Sequence, residues 1–213
     1  MTASNKPIRK LILASASPRR RELVAMLGIP FEVVPSLADE DTPDTWNAAQ
    51  VVEELALRKA KAVYDALPMQ SEQAIIMGSD TVVVLDGKIL GKPANRQEAQ
   101  DMLESLQGRT HQVYSGVACI RTTDGASQVS HRVTSVTMKP LTSKVIEAYV
   151  RTGEPDDKAG SYAIQGLGAT FIERIEGCYF NVVGLPLALL SDLLADLGVH
   201  MWIQDSSEQH TGE

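Results

Sequence analysis

Leu11-Ile12-Leu13-Ala14-Ser15-Ala16-Ser17-Pro18-Arg19-Arg20-Arg21-Glu22-Leu23 passes from an apolar run through a serine-rich turn into a basic segment. Residues 11–14 read as a buried strand. Ser17 suits a helix cap, because its hydroxyl can accept an N–H of the first turn. Pro18 suits the first helical position, where its missing N–H costs nothing. Leu23, Met26 and Leu27 supply an apolar face, and Gly28 can end the helix. At such a turn, free backbone N–H groups and the helix dipole favour an anion. Arg19 and Arg20 add donors that match phosphate oxygens. Taken alone, the commoner reading is a capped surface helix with solvated arginines.

The same alternation continues along the chain. Residues 31–34 read as a second strand, and Asp39-Glu40-Asp41 follows in a loop. A long helix is expected over residues 46–67, with Val52, Leu55, Ala56, Lys59 and Val63 at helical spacing. Residues 74–77 and 81–85 look like β structure interrupted at Gly78-Ser79-Asp80. Asp86-Gly87 is a hairpin signal, with residues 88–90 returning from it. Asn95 and Glu98 have capping-box spacing, so a helix should run to Leu106 and close at Gly108. Residues 113–121 and 128–138 read as two long strands joined at Thr123-Asp124-Gly125. A helix is expected over 143–150, short strands over 163–164 and 170–175, and a last apolar helix over 185–197. This alternation makes the fold mixed α/β but does not fix the strand order. The reading is one domain over residues 1–200 and a polar, frayed tail over 201–213.

The 213 residues are 44% hydrophobic and only 5% aromatic, so the core must be mainly aliphatic. Cys119 and Cys178 are too few for a disulfide framework and lack zinc spacing, so they read as buried free thiols. The N-terminal apolar run is too short for a signal-peptide core, and no stretch approaches a membrane span. A cytoplasmic protein is the expectation. A net charge of -7 argues against binding nucleic acid through phosphate contacts. It leaves room for a small anionic ligand held by a few local cations and a bridging metal.

Three further features carry chemistry. Glu40, between Asp39 and Asp41, and Asp80 are carboxylates of the kind that hold Mg²⁺ against substrate phosphates. Singly, each reads more readily as a solvated loop or turn residue. Gly91-Lys92-Pro93 places a lysine on a restricted backbone where it could reach a phosphate, although no Walker motif is present. Asp156-Asp157-Lys158-Ala159-Gly160-Ser161-Tyr162-Ala163-Ile164-Gln165-Gly166 joins polar groups to glycines that permit close backbone approach. Gln165 offers both a donor and an acceptor, which suits a base edge. His111 and His131 have no ligand cluster near them and read as structural, and no serine elbow occurs.

Taken in order, these segments resemble the Maf family of nucleotide pyrophosphatases. The carrying segments are Leu13-Ala14-Ser15-Ala16-Ser17-Pro18-Arg19-Arg20, Gly78-Ser79-Asp80-Thr81-Val82, Gly91-Lys92-Pro93, His111-Gln112-Val113-Tyr114-Ser115-Gly116-Val117, Asp157-Lys158-Ala159-Gly160-Ser161-Tyr162, Ile164-Gln165-Gly166 and Asn181-Val182-Val183-Gly184-Leu185-Pro186-Leu187. Together they outweigh the ordinary reading of each alone. The resemblance implies an α/β fold with an elongated mixed central sheet, flanking helices and a deep cleft between two lobes, similar to inosine triphosphate pyrophosphatases. It also implies a divalent metal, Mg²⁺ or Mn²⁺, a small-molecule nucleotide as substrate, and a homodimer.

Position by position, Arg19, Arg20, Lys59 and Lys92 resemble the phosphate-binding cations, beside Ser15 and Ser17 of the turn. Glu40 and Asp80 resemble the acidic pair that handles metal and water. Thr81 and Gln165 resemble the substrate-selective positions. A branch specialised for 7-methyl-GTP tends to carry Trp for the first Arg of the Ser-Pro-Arg-Arg motif, Gln after the Asp, and Glu for the Gln. Arg19, Thr81 and Gln165 are instead similar to the branch acting on dTTP and UTP. Ser79 and Ser115 depart from the family's usual residues without removing a catalytic group. The expected reaction is attack of water on the α-phosphate, with Asp80, Glu40 and Lys92 as the catalytic set. The competing expectation is a nucleotide-binding regulator of cell division with little catalysis.

Overall fold

The computed structural model describes residues 10–67 and 73–201. Strand β1 (Lys10–Leu13) leads through helix α1 (Pro18–Ala25) to β2 (Phe31–Val33), and helix α2 (Ala48–Ala66) leads to β3 (Ala74–Leu85). Both β2 and β3 lie parallel to β1, one on each side of it. After β3 come β4 (Lys88–Leu90), α3 (Arg96–Leu106), β5 (Thr110–Arg121), β6 (Ser127–Met138), α4 (Ser143–Arg151), β7 (Ile172–Glu176), α5 (Tyr179–Val183) and α6 (Leu187–Asp196). The sheet order is β2-β1-β3-β5-β6-β7, with β4 also paired to β3, and every pairing beyond β3 is antiparallel.

Side chains alternate across a strand, so β3 sends its residues to two faces. Ala74 and Ile76 pack with Ala56, Ala60 and Val63 of α2. Val82 and Val84 pack with Val51, Val52 and Leu55 of the same helix. One long helix therefore covers one face of the strand. The other face is covered in two parts. Ile75 and Met77 join Leu23, Val24, Leu190 and Leu194 from α1 and α6. Val83 and Leu85 join Leu103, Leu106, Ile146 and Tyr149 from α3 and α4. Between these two apolar clusters stand Ser79 and Thr81, with Ser115 opposite Thr81 on β5.

Several details differ from the sequence reading. Strand β3 is continuous through Gly78-Ser79-Asp80. Gly78 is needed because a Cβ there would lie 2.1 Å from the Ala56 carbonyl oxygen of α2. Residues 163–164 are not a strand, because they follow a 3-10 turn (Ala159–Ser161) in which Gly160 has φ 67°. On α1 the inward residues are Leu23 and Val24, whereas Met26 is 64% exposed. The last helix starts at Leu187 behind Pro186, and the short α5 before it was not anticipated. Cys119 is buried but Cys178 is only partly so. Apart from Met201, the tail over 201–213 lies outside the described residues.

Candidate active site

The site follows from how β3 is paired. On one edge it is hydrogen-bonded to β5 over residues 75–84. On its other edge β1 reaches only to Met77, and β4 begins only at Val83. Residues 78–82 are therefore a gap in that edge, at the C-terminal end of β1. Chain order and space diverge here, since β1 lies between β2 and β3 while α1 and α2 take opposite faces. In open α/β sheets such a switch point is where ligands bind. A cavity of about 600 Å³ opens there, and every site residue named from the sequence lines it.

The turn after β1 is built as its residues predict. The Ser17 hydroxyl accepts the Arg20 N–H at 3.5 Å and caps α1. The Ser15 hydroxyl accepts the Ser17 N–H at 3.2 Å and an Arg20 Nη1–H at 3.4 Å. Arg20 is then fixed by Nε donating to the Gly184 carbonyl at 2.9 Å and Nη2 donating to Thr81 Oγ1 at 3.2 Å. Burial lowers the Arg20 pKa, against the opposing pull of the Asp80 charge. It remains a cation at neutral pH. Arg19 lines the same cavity and forms no hydrogen bond or ion pair among the described residues.

Lys59 projects from α2 onto the two carboxylates. Its ammonium lies 2.6 Å from Asp80 Oδ1 and 2.7 Å from Glu40 Oε1. Lys59 and Asp80 are both buried. Burial by itself would raise the Glu40 pKa, but the Lys59 hydrogen bond and the charges of Lys59, Lys92 and Arg20 outweigh it and lower it. Glu40 is therefore ionised at neutral pH. Lys92 is mostly exposed, 4.0 Å from Glu40 Oε2. The second oxygen of each carboxylate takes no hydrogen bond among the described residues.

No cluster of three or more His, Cys, Asp or Glu residues suited to a metal occurs among the described residues. The chain itself thus offers two carboxylates at this point. Magnesium ions commonly bind through one or two carboxylates, substrate phosphate oxygens and water. Glu40 Oε2 and Asp80 Oδ2 fit that donor set.

The family model described as Maf-like protein matches residues 10–197. The chain belongs to the Maf family. Among its relatives, a dTTP/UTP pyrophosphatase of Desulforamulus reducens is 51% identical, covering 91% of this chain and all of that one. A dTTP/UTP pyrophosphatase of Moorella thermoacetica is 53% identical, covering 91% of this chain and 97% of that one. A solved structure, that of the Staphylococcus aureus Ham1 protein, aligns at 17% identity and a TM-score of 0.44, over 76% of this chain and 79% of that one.

In this Maf chain, sequence reasoning did not single out the supports of the site. The Ser115 hydroxyl donates to the Asn181 carbonyl at 2.8 Å and lies 2.8 Å from Thr81 Oγ1. Ser79 donates to the Gly184 carbonyl at 2.9 Å, the same oxygen that holds Arg20. Ser115 lay in a quoted motif, but only the β3–β5 register shows that it faces Thr81. A backbone carbonyl such as that of Gly184 leaves no mark in the sequence. Lys158 also lines the cavity, although its ammonium is held by Asp157 at 2.7 Å and by the Glu154 carbonyl.

Proposed function

We propose that this chain hydrolyses dTTP and UTP to the nucleoside monophosphate and pyrophosphate, by attack of water on the α-phosphate. The observation that carries the reading is one cavity holding three kinds of group. Its cations suit a triphosphate, its paired carboxylates suit water activation, and Gln165 has an amide with no partner among the described residues. The names of the relatives support the same chemistry. A nucleotide-binding regulator would have no use for a carboxylate tethered by a lysine beside a phosphate site.

The triphosphate brings a high negative charge that repels both water and the carboxylates. Arg19, Arg20 and Lys92 offset it and hold the phosphates in line for displacement. Lys59 holds one oxygen of Asp80 and one of Glu40, which fixes both carboxylates in place. Asp80 then accepts a proton from water as the water oxygen bonds to the α-phosphorus. The bond from that phosphorus to the bridging oxygen breaks, and pyrophosphate leaves with its charge neutralised by the same cations. Glu40 and Asp80 would hold Mg²⁺ or Mn²⁺, which supplies polarisation of the α-phosphate when bound. Free nucleotides as substrates fit a cytoplasmic protein, and no described helix is long and apolar enough to cross a membrane.

A product-resolved assay of dTTP, UTP, CTP, GTP and 7-methyl-GTP, with Mg²⁺, Mn²⁺ or chelator, tests this. Monophosphate and pyrophosphate should form, fastest from dTTP or UTP, and chelator should stop the reaction. Release of orthophosphate, or no turnover by folded metal-loaded protein, would reject the reading. Asp80→Asn should lower kcat about a hundredfold or more while the fold persists. A normal rate in that variant would remove Asp80 from the role of base.

A further inference from the structure

Gln165 sits in a loop whose backbone is fastened at both ends to one carboxylate and one phenol. Glu154 follows α4. Its Oε2 accepts the Leu167 N–H at 3.0 Å, and its Oε1 accepts the Gly168 N–H at 2.9 Å. The Tyr149 hydroxyl donates to the same Oε1 at 2.9 Å and accepts the Ala163 N–H at 3.3 Å. Residues 163, 167 and 168 are thus tied down around Gln165. Two glycines make room for the clamp. A Cβ on Gly166 would lie 2.6 Å from Glu154 Oε2, and one on Gly168 would lie 2.5 Å from the Ala163 carbonyl oxygen and 2.7 Å from the Tyr149 hydroxyl.

The clamp is itself anchored. The Glu154 N–H donates to Thr152 Oγ1 at 3.1 Å, and Thr152 Oγ1 donates to the Tyr149 carbonyl at 2.6 Å. The Tyr149 ring packs edge-on against Phe171 with centroids 4.9 Å apart. Although burial pushes the Glu154 pKa upward, the N–H groups of Gly168 and Leu167, the Tyr149 hydroxyl and the Lys158 charge outweigh it and lower it. Charge-assisted bonds of this kind are roughly twice as strong as neutral ones.

We infer that Glu154 and Tyr149 are positioning residues for base selection: they hold the Gln165 loop at a fixed distance from the phosphate-binding turn, so that a pyrimidine fits and a purine does not. This rests on Gln165 reading the base. The phosphates are anchored on the β1–α1 turn, and the base is met on another segment. Selectivity by size therefore depends on the spacing between the two segments. A loop free to move would blur that spacing. Even a single methylene more or less in a pocket changes kcat/KM by about ten- to two-hundredfold.

The test compares Glu154→Ala, Glu154→Gln and Tyr149→Phe with the parent chain, using dTTP and dGTP as substrates and inorganic tripolyphosphate as a competitive inhibitor. Glu154→Ala should lower the dTTP-to-dGTP ratio of kcat/KM about tenfold, mainly through KM, with tripolyphosphate inhibition unchanged. Glu154→Gln keeps an acceptor for Tyr149 and Gly168 and should lie between the two. Tyr149→Phe retains the ring packing and should shift the ratio in the same direction even if Glu154→Ala does not fold. Gln165→Ala in the Glu154→Ala background should add little further loss of selectivity. Equal losses on both nucleotides, or an unchanged ratio, would overturn the inference. If the parent chain turns over neither nucleotide, the proposed reaction fails. The same ratio read from equilibrium binding of dTTP and dGTP then decides the clamp.

Discussion

Thr81 has one hydroxyl, and the protein already engages it in both directions. Ser115 has a single hydroxyl hydrogen, which goes to the Asn181 carbonyl. At the 2.8 Å contact between the two hydroxyls Thr81 must therefore be the donor. Its oxygen also accepts Arg20 Nη2. Thr81 thus fixes where the Arg20 guanidinium points, and on the proposed function it would act on a substrate through Arg20. Thr81→Val removes both bonds with little change of shape. The charged donor loses about 1–3 kcal/mol of support. KM for every triphosphate should rise by about tenfold or more, with little change in base preference. Steady-state kinetics on dTTP, UTP and dGTP would show this. A selective loss on one base would instead place that base against the Thr81 side chain. Ser115→Ala should produce a milder form of the same defect, because Arg20 keeps its bonds to Gly184 and Ser15. The identities of Arg20 and Thr81 were legible in the sequence. Their coupling was not, because it depends on a cross-strand register and on a carbonyl contributed 164 residues later.

Helix α2 lies unusually close to the sheet, and glycine is what permits it. A Cβ at Gly78 would lie 2.1 Å from the Ala56 carbonyl oxygen, and one at Gly116 would lie 2.1 Å from the Val52 carbonyl oxygen. Both obstacles are backbone, so the helix itself must retreat. Lys59 lies one turn beyond Ala56, and its bonds to Asp80 and Glu40 depend on that approach. Gly78→Ala should destabilise the fold by about 3 kcal/mol, as overpacking does. It should also lower kcat, because the carboxylates lose their tether. Urea unfolding with parallel kinetics checks both, and a stable, fully active variant would show that α2 does not set the site. A glycine inside an apolar run reads as a strand break when the partner helix is unknown. The periodicity of α2, the strand-to-helix turn at Ser15-Ser17 and the hairpin at Asp86-Gly87 were all readable, because local rules dictate them. Helix α5 spans only Tyr179–Val183, too short for a period to register, yet it supplies the carbonyl that anchors Ser115 and precedes the one that anchors Arg20.

At the scale of the whole molecule, the first loss of stability on acidification is expected at a buried histidine that does not line the cavity. His111 is buried, and its Nε2 lies 2.6 Å from the Tyr162 hydroxyl. Its Nδ1 has no hydrogen-bond partner among the described residues. Burial holds its pKa down to about 4, against an ordinary value near 6.5. The unfolded chain therefore takes up a proton at a pH where the folded chain does not. Folding is favoured in full above about pH 6.5, weakens as the pH falls, and reaches its full loss near the folded pKa of about 4. The loss amounts to about 3 kcal/mol at that single site. Carboxylates with strong partners enter later. Asp124, held at about 2 first by its Arg121 hydrogen bond, gives up its stabilisation only as the pH falls from its usual value toward 2. It is half-exposed, so its share is small. The first acid-induced loss should thus track histidine rather than carboxylate titration. Chemical denaturation between pH 7 and 4 should show a falling free energy of unfolding over that window. His111→Gln, which keeps a polar partner for Tyr162 and cannot take up the proton, should flatten the slope. An unchanged slope in that variant would assign the pH dependence to other groups.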